Sequence, residues 1–314
     1  MVKKIIIFGS NFGLNHVLAI KKLKRLFKIS VCSPNINKKK INENIEIYND
    51  YKKALKNNFD AAGIVTVPNI QSKICNYIIK NKNKLKYILL EKPIASNFND
   101  TKKIIKGLIK KKIIFSVNFI FVNIPAFKKL FRISKKKKIK NLIYKWTFQQ
   151  TYFKNKIKTW KINYYQGGGL INYYLIHVFY NLHFFFDQLK IVKIVTFKNN
   201  LIITKINLLL VNSNQTRIFV RIDINSIKNE HSIFLTTKNE NYNLINISKN
   251  WVKNFNLYKN GKKINFINLR FSRENLTSQN YHKLFKTKYL NKQIVKKIIK
   301  SHKLCDEIVQ KIHI

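Results

Sequence analysis

Glycine, proline, cysteine and acidic side chains are all scarce in this chain of 314 residues. There are 8 glycines, where ordinary usage of ~7% gives roughly 22. Glycine therefore survives where the backbone needs positive φ or a close approach. Three of the eight stand together at Gly167-Gly168-Gly169. The three cysteines, Cys32, Cys75 and Cys305, have no C-x-x-C spacing. That excludes a disulfide framework and a cysteine metal centre and suits buried thiols in a reducing compartment. No long apolar run exists either. Leu170 to Phe186 is interrupted by Asn172, His177, Asn181 and His183, which makes a poor membrane span. The run at Ile5-Ile6-Ile7-Phe8 is too short for a signal peptide. A soluble, cytoplasmic protein is expected.

What is abundant is lysine. Against 13 Asp+Glu stand 62 Lys+Arg, a formal charge of +49. That excess suggests a polyanionic partner. The lysines, however, are spread along the whole chain, and Ile, Asn, Phe and Tyr are enriched with them. A+T-rich codons explain this profile without selection for nucleic acid, so no specific nucleic-acid partner is expected.

Residues 3–8 read as a buried strand, followed by Gly9-Ser10-Asn11-Phe12-Gly13 and an apolar-faced helix. Strand, glycine turn and helix open a dinucleotide-binding unit, in which the helix N-terminus meets a pyrophosphate. The turn reads G-x-x-x-G, and Asn11 falls near the middle glycine of the usual motif. The second strand ends at Ser33, where an acidic residue would hold the ribose of NAD. Ser33 with Lys38, Lys39 and Lys40 beyond it favours NADP over NAD. Further strands are predicted at 61–67, 87–90 and 113–117, alternating with helices at 70–81 and 97–110. This alternation indicates a doubly wound parallel sheet, whose ligands lie at the carboxyl ends of its strands. Gly9, Thr66-Val67-Pro68-Asn69 and Glu91-Lys92-Pro93 all fall at such ends.

From about residue 142 the pattern changes. Strands at 143–148, 191–197, 201–211, 216–224, 232–237 and 242–248 follow without intervening helices, which predicts a mostly antiparallel sheet. One face is covered by helices near Pro125 and Leu170, and the other calls for a second subunit. A last helix is expected over 292–312. The α/β Rossmann-type domain is placed at 1–120 and an α+β domain at 121–314. Tyr173 and His177, four apart on the helix after the glycine run, are expected to share one face. No metal-ligand cluster is present in the sequence.

The residues Gly9 to His16, Thr66-Val67-Pro68-Asn69, Glu91-Lys92-Pro93 and Gly167-Gly168-Gly169 with His177 resemble the glucose–fructose oxidoreductase, inositol dehydrogenase and MocA family of NAD(P)-dependent oxidoreductases. The resemblance implies hydride transfer between a nicotinamide and a small polyol, sugar or sugar-derived substrate. It implies that Lys92 positions the substrate oxygen and that His177 is the acid/base. It also implies cofactor contacts from Gly9, Asn11, Phe12, Gly13, Ser33, Thr66, Val67, Pro68, Asn69, Glu91 and Lys92. One departure stands out. The family carries Asp four residues before the histidine, and this chain has Tyr173 there. A nucleotide-binding protein with weak or no catalysis is the alternative, ahead of a basic nucleic-acid-binding protein.

Overall fold

The computed structural model describes residues 4–23, 26–35, 45–155, 157, 159–250, 252–266 and 272–312. By contacts the chain forms two compact units. The first comprises Met1–Ile120, Tyr165–Gly167 and Arg273–Lys303, and the second Phe121–Tyr164, Gly168–Ser272 and Leu304–Ile314. The division is thus not one cut near residue 120, because a segment from the chain's last quarter returns to the first unit.

The first unit is built on six parallel strands in the order β3-β2-β1-β4-β5-β6. They are β1 (Lys4–Phe8), β2 (Lys28–Cys32), β3 (Glu46–Tyr48), β4 (Ala61–Ile64), β5 (Tyr87–Leu90) and β6 (Ile114–Val117). Helices α1 (Asn11–Lys21), α2 (Tyr51–Leu55), α3 (Pro68–Lys80) and α4 (Phe98–Lys110) alternate with them. Parallel strands covered on both faces need apolar side chains at every position. Ile5, Ile6, Ile7, Ile88, Leu89 and Leu90 are accordingly all fully buried. α1 packs close because Gly13 leaves only 3.4 Å between its Cβ position and Ile7 Cγ2.

The second unit carries an eight-stranded sheet, β14-β13-β12-β11-β7-β10-β9-β8. Before and within it come α5 (Pro125–Ser134), β7 (Ile139–Gln149), α6 (Thr151–Lys154) and α7 (Ile176–Leu182). The remaining strands are β8 (Lys190–Asn199), β9 (Ile202–Val211), β10 (Arg217–Asp223), β11 (Asn225–Thr237), β12 (Asn241–Asn246), β13 (Asn256–Lys259) and β14 (Lys262–Ile264). All neighbouring pairs are antiparallel except β7 with β10. Along β7, Leu142, Tyr144 and Trp146 are buried while Asn141 and Ile143 are exposed, the period-2 signature of a sheet with one covered face.

Two helices close the chain. α9 (Lys292–Lys311) falls where the sequence places it, but α8 (Arg273–Lys286) has no counterpart in the sequence reading. Its buried face is largely polar, with Thr277, Ser278 and Asn280 beside Leu276, Tyr281 and Leu284. A search for an apolar stripe passes over such a helix. The reason for that polar face lies in the site.

Candidate active site

Three strand ends of the first sheet meet at one edge. Gly9 follows β1 at φ +125°, and its amide donates to the Cys32 carbonyl at 2.9 Å. A Cβ at Gly9 would lie 2.2 Å from the Val65 carbonyl oxygen, so only glycine lets β1 and β4 turn out side by side. The α1 N-terminus comes next. Ser10 makes no side-chain cap, and no acidic residue occupies the first turn. Its first N–H groups and positive dipole end therefore suit an anion such as the pyrophosphate of a dinucleotide. Phe12 lies in that turn, with the Arg273 guanidinium 4.9 Å over its ring. Thr66 and Val67 are half-buried at the end of β4, Pro68 is buried at the start of α3, and Asn69 is exposed. Ser33 is buried at the end of β2, where its amide donates to the Tyr48 carbonyl. Lys38, Lys39 and Lys40 lie outside the described residues.

The Glu91-Lys92-Pro93 turn is held from several directions, and its Lys92–Pro93 bond is cis. The buried Gln71 amide on α3 donates to the carbonyls of Glu91, Pro93 and Ile94 at 2.9, 3.0 and 2.9 Å. Its oxygen accepts the Glu91 amide at 3.1 Å. From α9, His302 Nε2 accepts the Ile94 amide at 3.3 Å while its Nδ1 donates to the Ile298 carbonyl. Burial pulls the His302 pKa down to about 4, so the ring is neutral and keeps an acceptor nitrogen for that bond.

The Glu91 carboxylate points inward. His16 Nε2 donates to its Oε1 at 3.0 Å, and Asn118 Nδ2 donates to the same oxygen at 2.6 Å. His16 Nδ1 lies 2.9 Å from the Tyr281 hydroxyl, and Asn280 Nδ2 donates to Asn118 Oδ1 at 2.7 Å. Burial alone would raise the Glu91 carboxyl. The His16 bond and charge, the Asn118 amide and the Lys92 ammonium outweigh it and hold the group below the usual carboxylate range. The polar face of α8 exists to complete this network. Lys92 itself is half-buried beside it.

The glycine run belongs to both units. Gly167, at φ +81°, has its Cβ position 2.9 Å from Pro68 Cγ and 3.1 Å from Ser96 Cα, so it closes on the β4 and β5 strand-end loops. Gly168 in the second unit leaves its Cβ position only 2.1 Å from the Trp160 carbonyl oxygen. Gly169, at φ +74°, starts a π-helix over Leu170–Leu175 that passes into α7. This corrects the expectation of one regular helix. Tyr173 packs edge-on against Trp160 at 5.5 Å, and His177, buried, packs against Phe121 at 5.2 Å and Trp146 at 6.1 Å.

Comparison with known proteins bears on this geometry. Residues 3–119 match the model of the oxidoreductase family with an NAD-binding Rossmann fold, Gfo/Idh/MocA. The likeness to that family's model thus covers the first unit's six strands and little beyond them. No curated protein sequence matches the chain. Similar solved structures span nearly its whole length. An oxidoreductase from Thermotoga maritima is 14% identical with a TM-score of 0.82, covering 99% of this chain and 96% of the other. A levoglucosan dehydrogenase in complex with NADH and L-sorbose is 13% identical, with a TM-score of 0.84 and coverage of 99% and 96%. A 3-ketoreductase from Actinomadura kijaniata, in complex with NADP and TDP-benzene, is 11% identical, with a TM-score of 0.79 and coverage of 98% and 96%.

Several residues around this strand edge escape a reading of the sequence. Gln71, Asn118, Arg273, Tyr281 and His302 sit on four separate elements or element ends, Arg273 and Tyr281 both on α8, and share no motif. Only Asn118 carries a local signal, as a polar residue directly after β6. Among the described residues, no cluster of His, Cys, Asp and Glu could hold a metal ion, and no helix is long and apolar enough to cross a membrane.

Proposed function

We propose that the chain is an NAD(P)-dependent oxidoreductase acting on a CH–OH or carbonyl carbon of a small polyol, sugar or sugar-derived substrate. The observation that carries this reading is the clamped Glu91-Lys92-Pro93 turn, set beside Gly9 and the uncapped α1 N-terminus on one sheet edge. A nicotinamide bound there would supply or accept the hydride. In this reading Lys92 holds the substrate oxygen, and His177 takes its proton on oxidation or returns one on reduction. Tyr173 stands in the family's Asp position and lends a hydroxyl to substrate or water. Gly9, Asn11, Phe12 and Gly13 cradle the pyrophosphate. Thr66, Val67, Pro68 and Asn69 border the nicotinamide half, and Ser33 faces the adenine ribose. Glu91 orients Lys92 from inside the protein.

Arg273 over Phe12 adds a cation next to the glycine turn and supports a phosphate-rich cofactor, with NADP preferred. The three buried thiols agree with a reducing, cytoplasmic setting. The outer face of the second sheet carries a cross-strand apolar row, Phe234–Ile143–Phe219–Leu209, with Val195 and Phe197 exposed beyond it. A second copy of the chain is the partner this face suits.

Fluorescence titration with NADPH and NADH tests the reading. Saturable binding in the micromolar range is expected, tighter for NADPH. Lys92→Ala should then keep cofactor affinity within a few-fold and lower kcat on the responsive polyol by at least ~100-fold. Absence of binding for both cofactors at millimolar concentration would end the proposal. Full turnover in the variant would remove Lys92 from it.

A further inference from the structure

A half-open cavity lies in the first unit, at the opposite edge of the parallel sheet from the glycine turn. It measures about 450 Å³ and lies where α1 ends, β2 begins and α8 passes. Such a volume falls within the ~300–1,000 Å³ of small-molecule sites. Its walls are of two kinds. Leu23, Phe27 and Phe285 supply an apolar side that continues the core, with the Phe27 and Phe285 rings 5.8 Å apart and Tyr87 5.7 Å from Phe285. Lys22, Lys283, Lys286 and His282 supply a polar rim, all four exposed. None of the described lining residues carries a carboxylate.

The helix periodicity of α8 separates this cavity from the cofactor edge. Thr277, Asn280 and Tyr281 share one face and complete the Glu91 network. Gln279, His282, Lys283 and Lys286 stand on the other side and line the cavity. The cavity is therefore no extension of the dinucleotide site.

We infer that this cavity is a second binding site, for a small amphipathic anion that seats an acyl body against Leu23, Phe27 and Phe285 and an anionic head between Lys22, Lys283 and Lys286. Local chemistry separates this from the general positive charge of the chain. Scattered lysines attract any polyanion, whereas here three flank an apolar cavity built on the core. An anion with no apolar body gains little from the cavity, and a neutral alcohol forgoes the charge-assisted contacts of the rim.

Calorimetric titration of the full chain, at physiological salt and below the micellar concentration, tests this. The probes are laurate, dodecyl phosphate, inorganic phosphate and 1-dodecanol. One or both amphiphiles should bind with one site per chain, and the two headless or tailless probes at least tenfold more weakly. Preference between laurate and dodecyl phosphate identifies the head. Saturating NADPH should leave the affinity within twofold. The triple variant K22E/K283E/K286E should lose at least tenfold, and a control with equal charge change on α4, K102E/K106E/K110E, should lose less than twofold. Leu23→Trp, which fills the cavity from its apolar side, should also abolish binding. The inference is overturned by no saturable binding of either amphiphile, by displacement with NADPH, by equal losses in the two triple variants, or by full affinity in Leu23→Trp. Because NADPH binding is measured separately, failure here leaves the oxidoreductase reading standing, and the reverse also holds.

Discussion

Each unit buries a histidine at its centre, and the two are treated in opposite ways. In the first unit, His16 sits between a carboxylate and a phenol, and the hydrogen bonds run on through Asn118 to Thr277 and Asn280. In the second, His231 lies among aromatic rings. It stacks on Trp146 at 4.8 Å and 12°, meets Phe121, Phe127 and Phe255 edge-on, and shares one bond with the Tyr144 hydroxyl at 2.8 Å. Burial alone drives the His231 pKa down to about 3, so it is neutral and packs as another ring. A buried carboxylate has no such escape while its pKa is held low, and it needs every partner it has. The polar cluster accordingly sits where a turn must be held in place, and the aromatic one sits where only volume must be filled.

The comparison breaks most visibly under deletion. Glu91→Ala should cost ~3–5 kcal/mol, because His16 and Asn118 are left facing a void inside the protein. It should also weaken NADPH binding, since the turn that carries Lys92 loses its inner anchor. His231→Phe should stay within ~1.5 kcal/mol of the parent. The volume is nearly kept, Tyr144 retains its bond from Asn181 at 2.9 Å, and the Nδ1 atom removed has no hydrogen-bond partner among the described residues. Urea denaturation of both variants measures this, and equal costs would erase the distinction drawn between the two clusters.

The same contrast explains which parts could be read from the chain. The parallel sheet is legible because its strands are unbroken apolar runs ending in glycine or proline turns. Glu91-Lys92-Pro93 is legible because acids and prolines are rare enough for the triplet to stand out. The strands from β7 to β12 are legible through alternation. α8 is not, because its buried face answers to Glu91, a residue about 190 positions earlier, and no local pattern records that demand. The π turn after Gly169 is illegible for a related reason. Its side chains suit an α-helix equally well, and the extra residue per turn is fixed by packing around Trp160 and the glycines. β13 and β14 are short strands in an Asn- and Lys-rich stretch whose composition reads as loop. Gln71 and His302 hold backbone atoms rather than side chains, a role that any polar residue at helical spacing could fill.

Acid sharpens the comparison at a smaller scale. In the unfolded chain His231 and His302 take up protons near pH 6.5, whereas in the folded protein they resist until about 3 and about 4. The unfolded state therefore binds more protons below pH 6.5, and stability falls as pH drops through that window. Each histidine contributes a slope of about 1.4 kcal/mol per pH unit once its unfolded form is largely protonated. Glu91, with its pKa held low, adds its own loss only at still lower pH. Thermal melts from pH 7 to 4 should show the decline, and His231→Phe should make it shallower by about half. A parent protein equally stable at pH 7 and 4.5 would mean that the aromatic cluster admits water and a proton.

The smallest effect on stability belongs to the outer face of the second sheet. Phe219 is 44% exposed, between Ile143 on β7 and Leu209 on β9. Phe219→Asp removes little buried surface from one chain, so the unfolding free energy of a dilute monomer should move by less than ~0.5 kcal/mol. If two copies meet through this face, the same change places two carboxylates in the apolar row, near a two-fold axis that repeats every contact. The molar mass from light scattering should then halve for a dimer, with the NADPH titration unchanged. A mass unaffected by Phe219→Asp would show that the apolar row is not what joins the copies, and the face would stand as an ordinary solvated surface whose lysines shield it, as Lys145 does over Phe234 and Lys205 over Phe197.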